Sequence, residues 1–205
     1  MKRYSLYLLD FDGTLFDTIE SLTEVYRLTF KKYGVVPTKK DYTTFISMSL
    51  PRAMVFKGVN KKYTKKFCDY FNKMVLNQSV LKKTKTYPET IKFINYLNKN
   101  NIKYGIVTGS STDRVKGVYR YFHLDYKKVA ICVGNNTYKK PKPNPDPVLL
   151  ALKATNFLKR RKEVLYVGDA KQDEECAKAA KVNYINIKRP HNQSGDINNL
   201  FDLFK

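Results

Sequence analysis

A short apolar run that stops at two aspartates is the strongest constraint on the fold of this 205-residue chain. The run Leu6–Leu9 is followed by Asp10 and Asp12, and then by Gly13 and Thr14. A buried strand that ends in paired acids puts negative charge at the carboxyl end of a sheet, where open α/β folds bind ligands. The spacing lets one carboxylate attack while its neighbour moves a proton, and a divalent cation would relieve their repulsion.

Four further segments have the short apolar pattern of buried strands, and helical patterns lie between them. The predicted strands span 5–9, 103–108, 128–133, 163–167 and 184–187. The predicted helices around them span 88–99, 112–122, 146–158, 173–180 and 196–204. Strands that alternate with helices predict an α/β fold, a doubly wound parallel sheet with a Rossmann-like core.

A long helical segment separates the first predicted strand from the second. Its helical patterns cover 19–32, 39–47, 51–56 and 64–76. A stretch of this length is too long for a loop in a compact domain. We therefore predict an inserted α-helical subdomain at 17–87 and a core formed by 1–16 and 88–205.

The two aspartates after the first strand have different predicted roles. Asp10 leaves the strand with its carboxylate pointing outward, which suits a nucleophile. Asp12 can donate a proton to a leaving group and then activate water. Gly13 lets the backbone turn and the Thr14 hydroxyl can fix that turn; a solvated Asp-Gly turn is the alternative interpretation.

Hydroxyl groups follow the predicted strand 103–108. Thr108 and the backbone N–H of Gly109 can hydrogen-bond a phosphoryl oxygen where the next helix begins. An ordinary helix N-cap is the alternative interpretation, because Ser and Thr precede many helices. Alone, this segment is a weak signal.

A proline-rich basic segment spans residues 138–147. Prolines hold the backbone extended, so a lysine here can be directed at a fixed point at little entropic cost. Such a cation would offset charge on a phosphoryl group and on crowded aspartates. From periodicity alone, a solvated loop is the favoured interpretation.

Acids also follow the predicted strand 163–167. Asp169 stands at the strand end, and Asp173 stands at the start of the next helix. This separation lets both carboxylates face one pocket, and oxygen ligands with retained waters suit Mg²⁺. For Asp173 alone, an acid favoured by the helix dipole is an equally good interpretation.

In this order, the four motifs resemble those of the haloacid dehalogenase-like (HAD) superfamily of phosphohydrolases. The resemblance covers residues 8 to about 186. The stretch 142–148 is similar to the Lys-Pro-x-Pro-x-Pro stretch of the phosphoglycolate phosphatase-like branch, which has a small helical cap. Lys140 begins the same pattern two residues earlier. Of the two, Lys142 is favoured as the lysine that contacts the phosphoryl group. Ala170 departs from the family, which often has Ser or Thr there.

The resemblance implies a Mg²⁺-dependent phosphatase that hydrolyses a small phosphomonoester through an aspartyl-phosphate. By the same resemblance, Asp10 is the nucleophile and Asp12 is the general acid and base. The implied metal ligands are the Asp10 carboxylate, the Asp12 backbone carbonyl, Asp169, and Asp173 directly or through water.

The resemblance also implies groups that bind substrate, and it identifies the helical insert as a cap. The predicted substrate-binding residues are Thr14, Thr108, Gly109, Lys142 and Arg52. Arg52 and Lys57 lie in or beside the stretch 47–52, which resembles the substrate-facing turn of the family's cap. Each is a candidate for gripping a carboxylate or a second phosphate, although a surface cation is the more ordinary interpretation.

Several alternatives stay open on the sequence. A phosphatase acting on nucleotides or nucleic-acid ends, or a phosphomutase on the same core, fits the same motifs. A phospho-acceptor receiver also uses clustered Asp, Thr and Lys, but it lacks a long insert after its first strand. A nucleic-acid-binding protein with a vestigial site is disfavoured, because every expected acid is present.

The formal net charge of +21 raises the question of a nucleic-acid partner. Of the 39 basic residues, 31 are Lys and 8 are Arg. Nucleic-acid recognition favours the forked guanidinium, and lysines spread through every segment give a diffuse field. Compositional drift is therefore the favoured interpretation, and attraction of anionic substrates or nucleic acid is the alternative.

The location of the protein is also predicted. No segment reaches the ~18 apolar residues of a membrane span, and the apolar run near the N-terminus is too short for a secretory signal. Cys68, Cys132 and Cys176 are widely spaced and form no CxxC pair, so we expect reduced thiols. These features predict a cytoplasmic protein with no membrane partner.

Overall fold

The computed structural model describes residues 4–46 and 48–205. Its chain divides into two compact units, an α/β unit made of Met1–Asp17 with Lys85–Lys205 and a helical unit made of Thr18–Thr84. Ser47, at the end of one predicted helix, lies outside the described residues. In the described part of the chain, no helix combines the length and the apolar character needed to cross a bilayer.

The α/β unit is built on a parallel sheet. The strands of the described chain are β1 (Leu6–Leu9), β2 (Phe16–Asp17), β3 (Lys85–Thr86), β4 (Tyr104–Val107), β5 (Cys132–Val133), β6 (Val164–Gly168) and β7 (Asn183–Asn186). Five of them form one sheet in the order β5-β4-β1-β6-β7, and every neighbouring pair is parallel. Leu9 in β1 lies opposite both Ile106 in β4 and Val167 in β6.

This topology confirms the predicted doubly wound parallel sheet. From the central β1 the chain builds outward through β4 and β5, and then returns to build β6 and β7 on the other side. The direction of winding therefore reverses between β1 and β6, and ligands bind at such a reversal in open α/β sheets. β1, β4 and β6 are buried throughout, as expected for strands covered on both faces.

The helical unit has an aromatic core. Its helices are α1 (Ile19–Lys31), α2 (Lys39–Ile46), α3 (Leu50–Phe56), α4 (Thr64–Met74) and α5 (Gln78–Leu81). The ring of Phe30 from α1 lies 5.1 Å from that of Phe45 and 5.0 Å from that of Phe67, measured between centroids. All three rings are fully buried, so apolar contacts from three helices stabilise this unit.

Four helices belong to the α/β unit. They are α6 (Thr90–Lys99), α7 (Thr112–Tyr121), α8 (Asp146–Ala154) and α9 (Lys171–Ala180). Val148, Leu152 and Ala177 from α8 and α9 pack with Leu8 and Tyr166 of the sheet in one buried cluster. Apolar residues at helical spacing face the sheet, as the sequence pattern predicted.

Three predicted elements are each four residues shorter than expected. The predicted strand 128–133 is reduced to β5, and its first predicted residue belongs to the 3-10 turn Tyr126–Lys128, which the Asp125 side chain caps. Helix 146–158 ends at Ala154, since Asn156 has a positive φ of 65°, which a right-handed helix cannot continue. The terminal helix 196–204 is a 3-10 helix over Leu200–Phe204.

A two-stranded ribbon in the α/β unit, formed by the residues just before and just after the helical insert, has no counterpart in the sequence prediction. Phe16 pairs with Thr86 and Asp17 with Lys85 in antiparallel register. The ribbon carries Asp17 and residues 85–87 into the α/β unit, whereas the sequence prediction assigned these residues to the insert. Two-residue strands are too short to give a period-2 pattern, which is why the sequence did not indicate them.

Candidate active site

Polar side chains from four segments meet at the carboxyl edge of the sheet. Asp10 directly follows β1, Thr108 follows β4, and Asp169 follows β6. Because β1 lies between β4 and β6, these three positions are neighbours at one edge. Lys142, from the loop before α8, reaches the same place. The structure therefore brings together residues that are far apart in the sequence.

Lys142 lies at the centre of this group. Its Nζ atom is 2.6 Å from Oδ1 of Asp10, 2.5 Å from Oδ1 of Asp173 and 3.2 Å from the hydroxyl oxygen of Tyr166. Its side chain is 5% exposed, whereas Lys140 is exposed to solvent. Of the two lysines that fit the sequence pattern, Lys142 is the one that contacts the aspartates.

The charge of Lys142 and the charges of the carboxylates around it influence one another's pKa values. Burial opposes a charge on the ammonium, but the carboxylates of Asp10 and Asp173 outweigh it and raise the pKa of Lys142 well above its usual range. Burial, with the carboxylates of Asp173 and Asp169, raises the pKa of Asp10 well above its usual range, although Lys142 opposes this. One ammonium is thus too little positive charge for the carboxylates around it.

Three of these carboxylates form a group that can hold a metal ion. One oxygen from each of Asp10, Asp169 and Asp173 lies within 4.8 Å of the others. An all-oxygen, anionic donor set suits a hard divalent cation. A second positive charge would also relieve the crowding that raises the pKa of Asp10, so the donor chemistry and the charge balance both fit a cation here.

Tyr166 supports the lysine from within the sheet. Its hydroxyl accepts from Lys142 and can donate either to Asp173 Oδ1 at 2.9 Å or to the carbonyl oxygen of Val107 at 3.2 Å. Burial, followed by the charge on Asp173, raises the pKa of Tyr166 well above its usual range. The hydroxyl therefore stays protonated. Tyr166 lies in a predicted strand and was not among the predicted site residues.

Asp12 lies beside the buried cluster but is more accessible. Its side chain is 20% exposed, compared with 5% for Asp10. Its Oδ2 accepts hydrogen bonds from the Ser110 hydroxyl at 2.5 Å and from the Thr108 hydroxyl at 3.3 Å. Its Oδ1 lies 3.4 Å from Nη2 of Arg114. This arrangement holds a carboxylate within reach of a ligand or of water.

Ser110 and Arg114 were not among the predicted site residues. Arg114 is 2% exposed, and it stands in α7 beside Val115 and one turn before Val118. A cation on an otherwise apolar helical face was the signal that could have identified it, because a buried guanidinium needs an anionic partner. Ser110 carried no signal beyond that of a helix N-cap.

Three side chains hold Asp169 in place. The Thr14 hydroxyl donates to Oδ1 at 2.6 Å, and Nε2 of His191 lies 2.6 Å from Oδ2. Asn192 donates to the backbone carbonyl of Asp169, also at 2.6 Å. The hydrogen bond to Asp169 raises the pKa of His191. Residues 191–195 have the composition of a polar loop, and nothing in their pattern indicated these contacts.

The structure changes the role expected of Thr14. The sequence prediction placed its hydroxyl among the substrate-binding groups, but Thr14 is fully buried and its hydroxyl is bonded to Asp169. Thr14 therefore orients a carboxylate and offers no exposed group to a ligand. Thr108 is also buried, with its hydroxyl between Asp12 and the backbone N–H of Ser110.

Gly13 is required by close packing at the site. Its φ is +90°, in the left-handed region, and a Cβ atom built there would lie 2.6 Å from Oδ2 of Asp169. Any larger residue would push this carboxylate away. By contrast, a Cβ atom at Gly109 would meet nothing within 4 Å, so Gly109 is not required for packing.

The helical unit carries two candidate cations, Arg52 and Lys57. Arg52 is exposed on α3, and its role in substrate binding stays a prediction. Lys57 has a partner in its own unit, since its Nζ lies 2.9 Å from Oδ2 of Asp41. This ion pair indicates a structural role for Lys57. Ser47, the first residue of the predicted substrate-facing turn, lies outside the described residues.

Comparisons with known proteins identify relatives of the chain. Residues 7–187 match the family model of the haloacid dehalogenase-like hydrolases. Over 88 residues, 42% of this chain, the sequence is 39% identical to a protein described as the pyrophosphatase PpaX from Caldanaerobacter subterraneus subsp. tengcongensis. The matching segment spans only 38% of the length of that relative.

Solved structures share the fold. One described as a phosphoglycolate phosphatase from Lactobacillus plantarum has a TM-score of 0.73 at 24% identity, over 89% of this chain and 86% of the other. CbbY from Rhodobacter sphaeroides, in complex with phosphate, has a TM-score of 0.82 at 16% identity, over 98% of this chain and 100% of the other. At these identities the likeness concerns the fold. Since the family model spans most of the sequence, the chain belongs to the haloacid dehalogenase-like hydrolase family.

Proposed function

We propose that the protein is a Mg²⁺-dependent phosphatase that hydrolyses a small phosphomonoester through a phosphorylated Asp10. The observation that carries the proposal is the position of Lys142, whose Nζ bridges Asp10 at 2.6 Å and Asp173 at 2.5 Å. A buried carboxylate paired with one lysine and crowded by two more acids fits a nucleophile whose charge is balanced by a bound cation.

We assign the metal site to Asp10, Asp169 and Asp173, with the backbone carbonyl of Asp12 as a further ligand. The three carboxylates offer oxygens within 4.8 Å of one another, which supports the assignment. A bound Mg²⁺ would neutralise charge on the phosphoryl group and on the nucleophile. Thr14 and His191 hold the Asp169 carboxylate in the orientation that a ligand needs.

In the first step, the Asp10 carboxylate attacks phosphorus and the bond from phosphorus to the leaving oxygen breaks. Asp12 gives its proton to that oxygen, so the leaving group departs as a neutral alcohol. The greater exposure of Asp12, 20% against 5% for Asp10, supports this division of roles. The Ser110 and Thr108 hydroxyls hold Asp12 before it turns toward the substrate.

In the second step, Asp12 is ionised and accepts a proton from water. The oxygen of that water bonds to phosphorus, the acyl-phosphate bond breaks, and Asp10 is regenerated with release of inorganic phosphate. Lys142 stays charged throughout, because the surrounding acids keep its pKa high. Its longest contact, 3.2 Å to Tyr166, is the one that a phosphoryl oxygen would replace. The Thr108 hydroxyl and the Gly109 N–H would bind the other phosphoryl oxygens.

We propose that the helical unit, Thr18–Thr84, selects the leaving group as a cap, with Arg52 binding its anionic end. Exposure of Arg52 and the pairing of Lys57 with Asp41 favour Arg52 over Lys57 for this role. We place the enzyme in the cytoplasm, where the free thiols of Cys68, Cys132 and Cys176 would stay reduced.

Inorganic pyrophosphate is a second candidate substrate. The 39% identity to a protein described as the pyrophosphatase PpaX favours it over other phosphoanhydrides. The same attack by Asp10 would break a phosphoanhydride bond, and the leaving phosphate needs less help from Asp12 than an alkoxide does.

The test is phosphatase activity with p-nitrophenyl phosphate, followed by a panel of phosphomonoesters, nucleotides, 5′-phosphorylated oligonucleotides and pyrophosphate. We expect activity with Mg²⁺, loss of activity with EDTA, and no turnover by Asp10→Asn. Asp113→Asn is the matched control, since Asp113 is an exposed acid of the same unit. Equal, negligible rates for wild type, Asp10→Asn and Asp113→Asn across the panel would contradict the proposal.

A further inference from the structure

The densest run of cations in the α/β unit lies far from the aspartates. Lys159, Arg160, Arg161 and Lys162 follow one another in the segment between α8 and β6. Two of the eight arginines of the chain stand in this run. Its charge is therefore more concentrated than the diffuse field that the composition suggested.

Two shallow depressions make this run part of a continuous basic surface. All four cations line one depression together with Lys181. The neighbouring depression shares Leu158 and Arg161 with it and adds Lys139 and Lys153. We call this area, which carries Lys139, Lys153, Lys159, Arg160, Arg161, Lys162 and Lys181, the basic surface.

Few acids offset the charge of the basic surface. Arg160 is neutralised by Glu163, with Nε and Nη2 donating to its two carboxylate oxygens at 2.8 and 2.6 Å. Asp146 is the other acid in the two depressions. Among the described residues, no ion pair is found for Lys153 or Lys159, and both are exposed. Lys153 and Lys159 are thus available to an outside partner.

The backbone beneath the cations is held firmly. Arg161 donates from Nε to the carbonyl oxygen of Leu158 at 2.9 Å and from Nη1 to that of Ala180 at 3.0 Å. These bonds tie the segment to the end of α9. The Arg160 guanidinium lies 4.7 Å from the ring centroid of the buried Phe157. Little conformational entropy would therefore be lost in ordering this segment when an anionic partner binds.

The basic surface reaches the opposite edge of the sheet from the candidate active site, although its Lys139 lies in the loop that carries Lys142. Its main run ends just before β6 begins at Val164, whereas Asp169 follows the last residue of β6. A strand of five residues spans about 17 Å. A partner bound at the run 159–162 would therefore engage groups other than Asp10 and Lys142.

We propose that the basic surface binds the phosphate backbone of nucleic acid. Its seven cations, set against the two acids Asp146 and Glu163, match a partner whose negative charges repeat, and they exceed what one small anion needs. Lysine ammonium groups act as point charges that contact phosphates without reading bases, so binding is expected to be independent of sequence and strongly dependent on salt. This partner lies outside the proposed hydrolysis of a small phosphate ester.

The test uses fluorescence anisotropy with a labelled 20-base-pair DNA duplex and the corresponding single strand, both lacking terminal phosphates so that they offer no monoester. The dissociation constant is measured between about 50 and 200 mM salt. The variant Lys153→Gln/Lys159→Gln removes two charges of the basic surface. If both contact duplex phosphates, the slope of log K against log salt should fall in magnitude by about 1.8.

Lys127→Gln/Lys128→Gln is the matched control. It removes two exposed charges from the same unit, in the 3-10 turn Tyr126–Lys128, and we expect the wild-type slope. Equal losses for the two double variants would show that only a diffuse field attracts DNA and would overturn the proposal. Absence of duplex and single-strand binding at 50 mM salt would overturn it too, as would exclusive binding to phosphatidylserine vesicles. Because binding is read without turnover, the result is independent of the phosphatase assay.

Discussion

The Thr14 hydroxyl donates a hydrogen bond of 2.6 Å to Oδ1 of Asp169, although 155 positions separate the two residues. The bond is buried, and Nε2 of His191 contacts the other carboxylate oxygen at 2.6 Å. Asp169 is therefore held on both oxygens by protein groups. Partners of this kind fix the orientation of a metal ligand, so in the proposed metal site Thr14 would act through Asp169 and not on the substrate.

Replacement of Thr14 should weaken metal binding. In Thr14→Val the hydroxyl is lost at nearly constant volume, and we expect the dissociation constant for a divalent cation to rise about 10- to 100-fold. Thr14→Ser keeps a hydroxyl and should remain near wild type. Free Mn²⁺, measured by electron paramagnetic resonance as a substitute for Mg²⁺, gives the constant without turnover. Unchanged Mn²⁺ affinity in Thr14→Val would rule out this role.

Lys142 should be essential and Lys140 dispensable. In Lys142→Met the Asp10 and Asp173 carboxylates lose the ammonium that lies within 2.6 Å of both. Loss of one electrostatic group at a reacting centre typically lowers kcat by about 10²- to 10³-fold. Breaking a buried ion pair also costs roughly 3–5 kcal/mol of unfolding free energy. Lys140→Met should change neither quantity, because Lys140 is exposed.

Urea denaturation and p-nitrophenyl phosphate turnover measure these two effects separately. A folded Lys142→Met protein with full activity would remove Lys142 from the proposed mechanism. Equal losses in Lys140→Met and Lys142→Met would instead point to a general effect of charge on this loop.

The sheet and the meeting of the motifs were predictable, because both follow from local patterns. Apolar runs that alternate with helical periods specify a parallel sheet, and polar residues directly after the strands must then share one edge. Asp10, Thr108 and Asp169 are of this kind. The local sequence before each of them predicts both a strand and the residue at which that strand ends.

The groups that support these residues could not be predicted with the same ease. His191 and Asn192 reach Asp169 from a polar loop with no periodic pattern, and Tyr166 occupies a strand position that suits any buried aromatic residue. Their roles depend on which side chain lies opposite in space. Arg114 is an intermediate case. A cation on a buried helical face indicates that an acid lies nearby, but it does not indicate which acid.

Gly13 should tolerate no side chain. A Cβ atom there would lie 2.6 Å from Oδ2 of Asp169, in addition to the strain of a residue at φ +90°. Strain alone costs about 1–2 kcal/mol of unfolding free energy, so we expect Gly13→Ala to lose more stability than this. We also expect the variant to bind metal more weakly. Gly34→Ala is the control, since Gly34 has φ +70° and a Cβ atom there would meet nothing within 4 Å. Unfolding in urea and Mn²⁺ binding should separate the two variants; identical behaviour would contradict the close packing of Gly13 on Asp169.

Acid should weaken the helical unit through Asp41. Hydrogen bonds from Lys57 and from the backbone N–H of Thr38 lower the pKa of Asp41 to about 2. In the unfolded chain its pKa is about 3.9. A lowered pKa in the folded state means that the stabilisation is complete above about pH 5 and is lost as the pH falls toward 2. Wild type should therefore lose stability in this window faster than Asp41→Asn, in which residue 41 does not titrate.

The measurement is urea denaturation of wild type and Asp41→Asn between about pH 2.5 and 7, because the difference between the two proteins isolates Asp41 from other acids. We expect the difference to be constant above about pH 5 and to shrink below pH 4. Asp69→Asn is the matched control: its 2.8 Å pair with Lys65 is largely exposed, and such pairs contribute little. A difference between wild type and Asp41→Asn that stays constant down to pH 2.5 would show that the Lys57 and Thr38 contacts do not hold the Asp41 carboxylate ionised in solution.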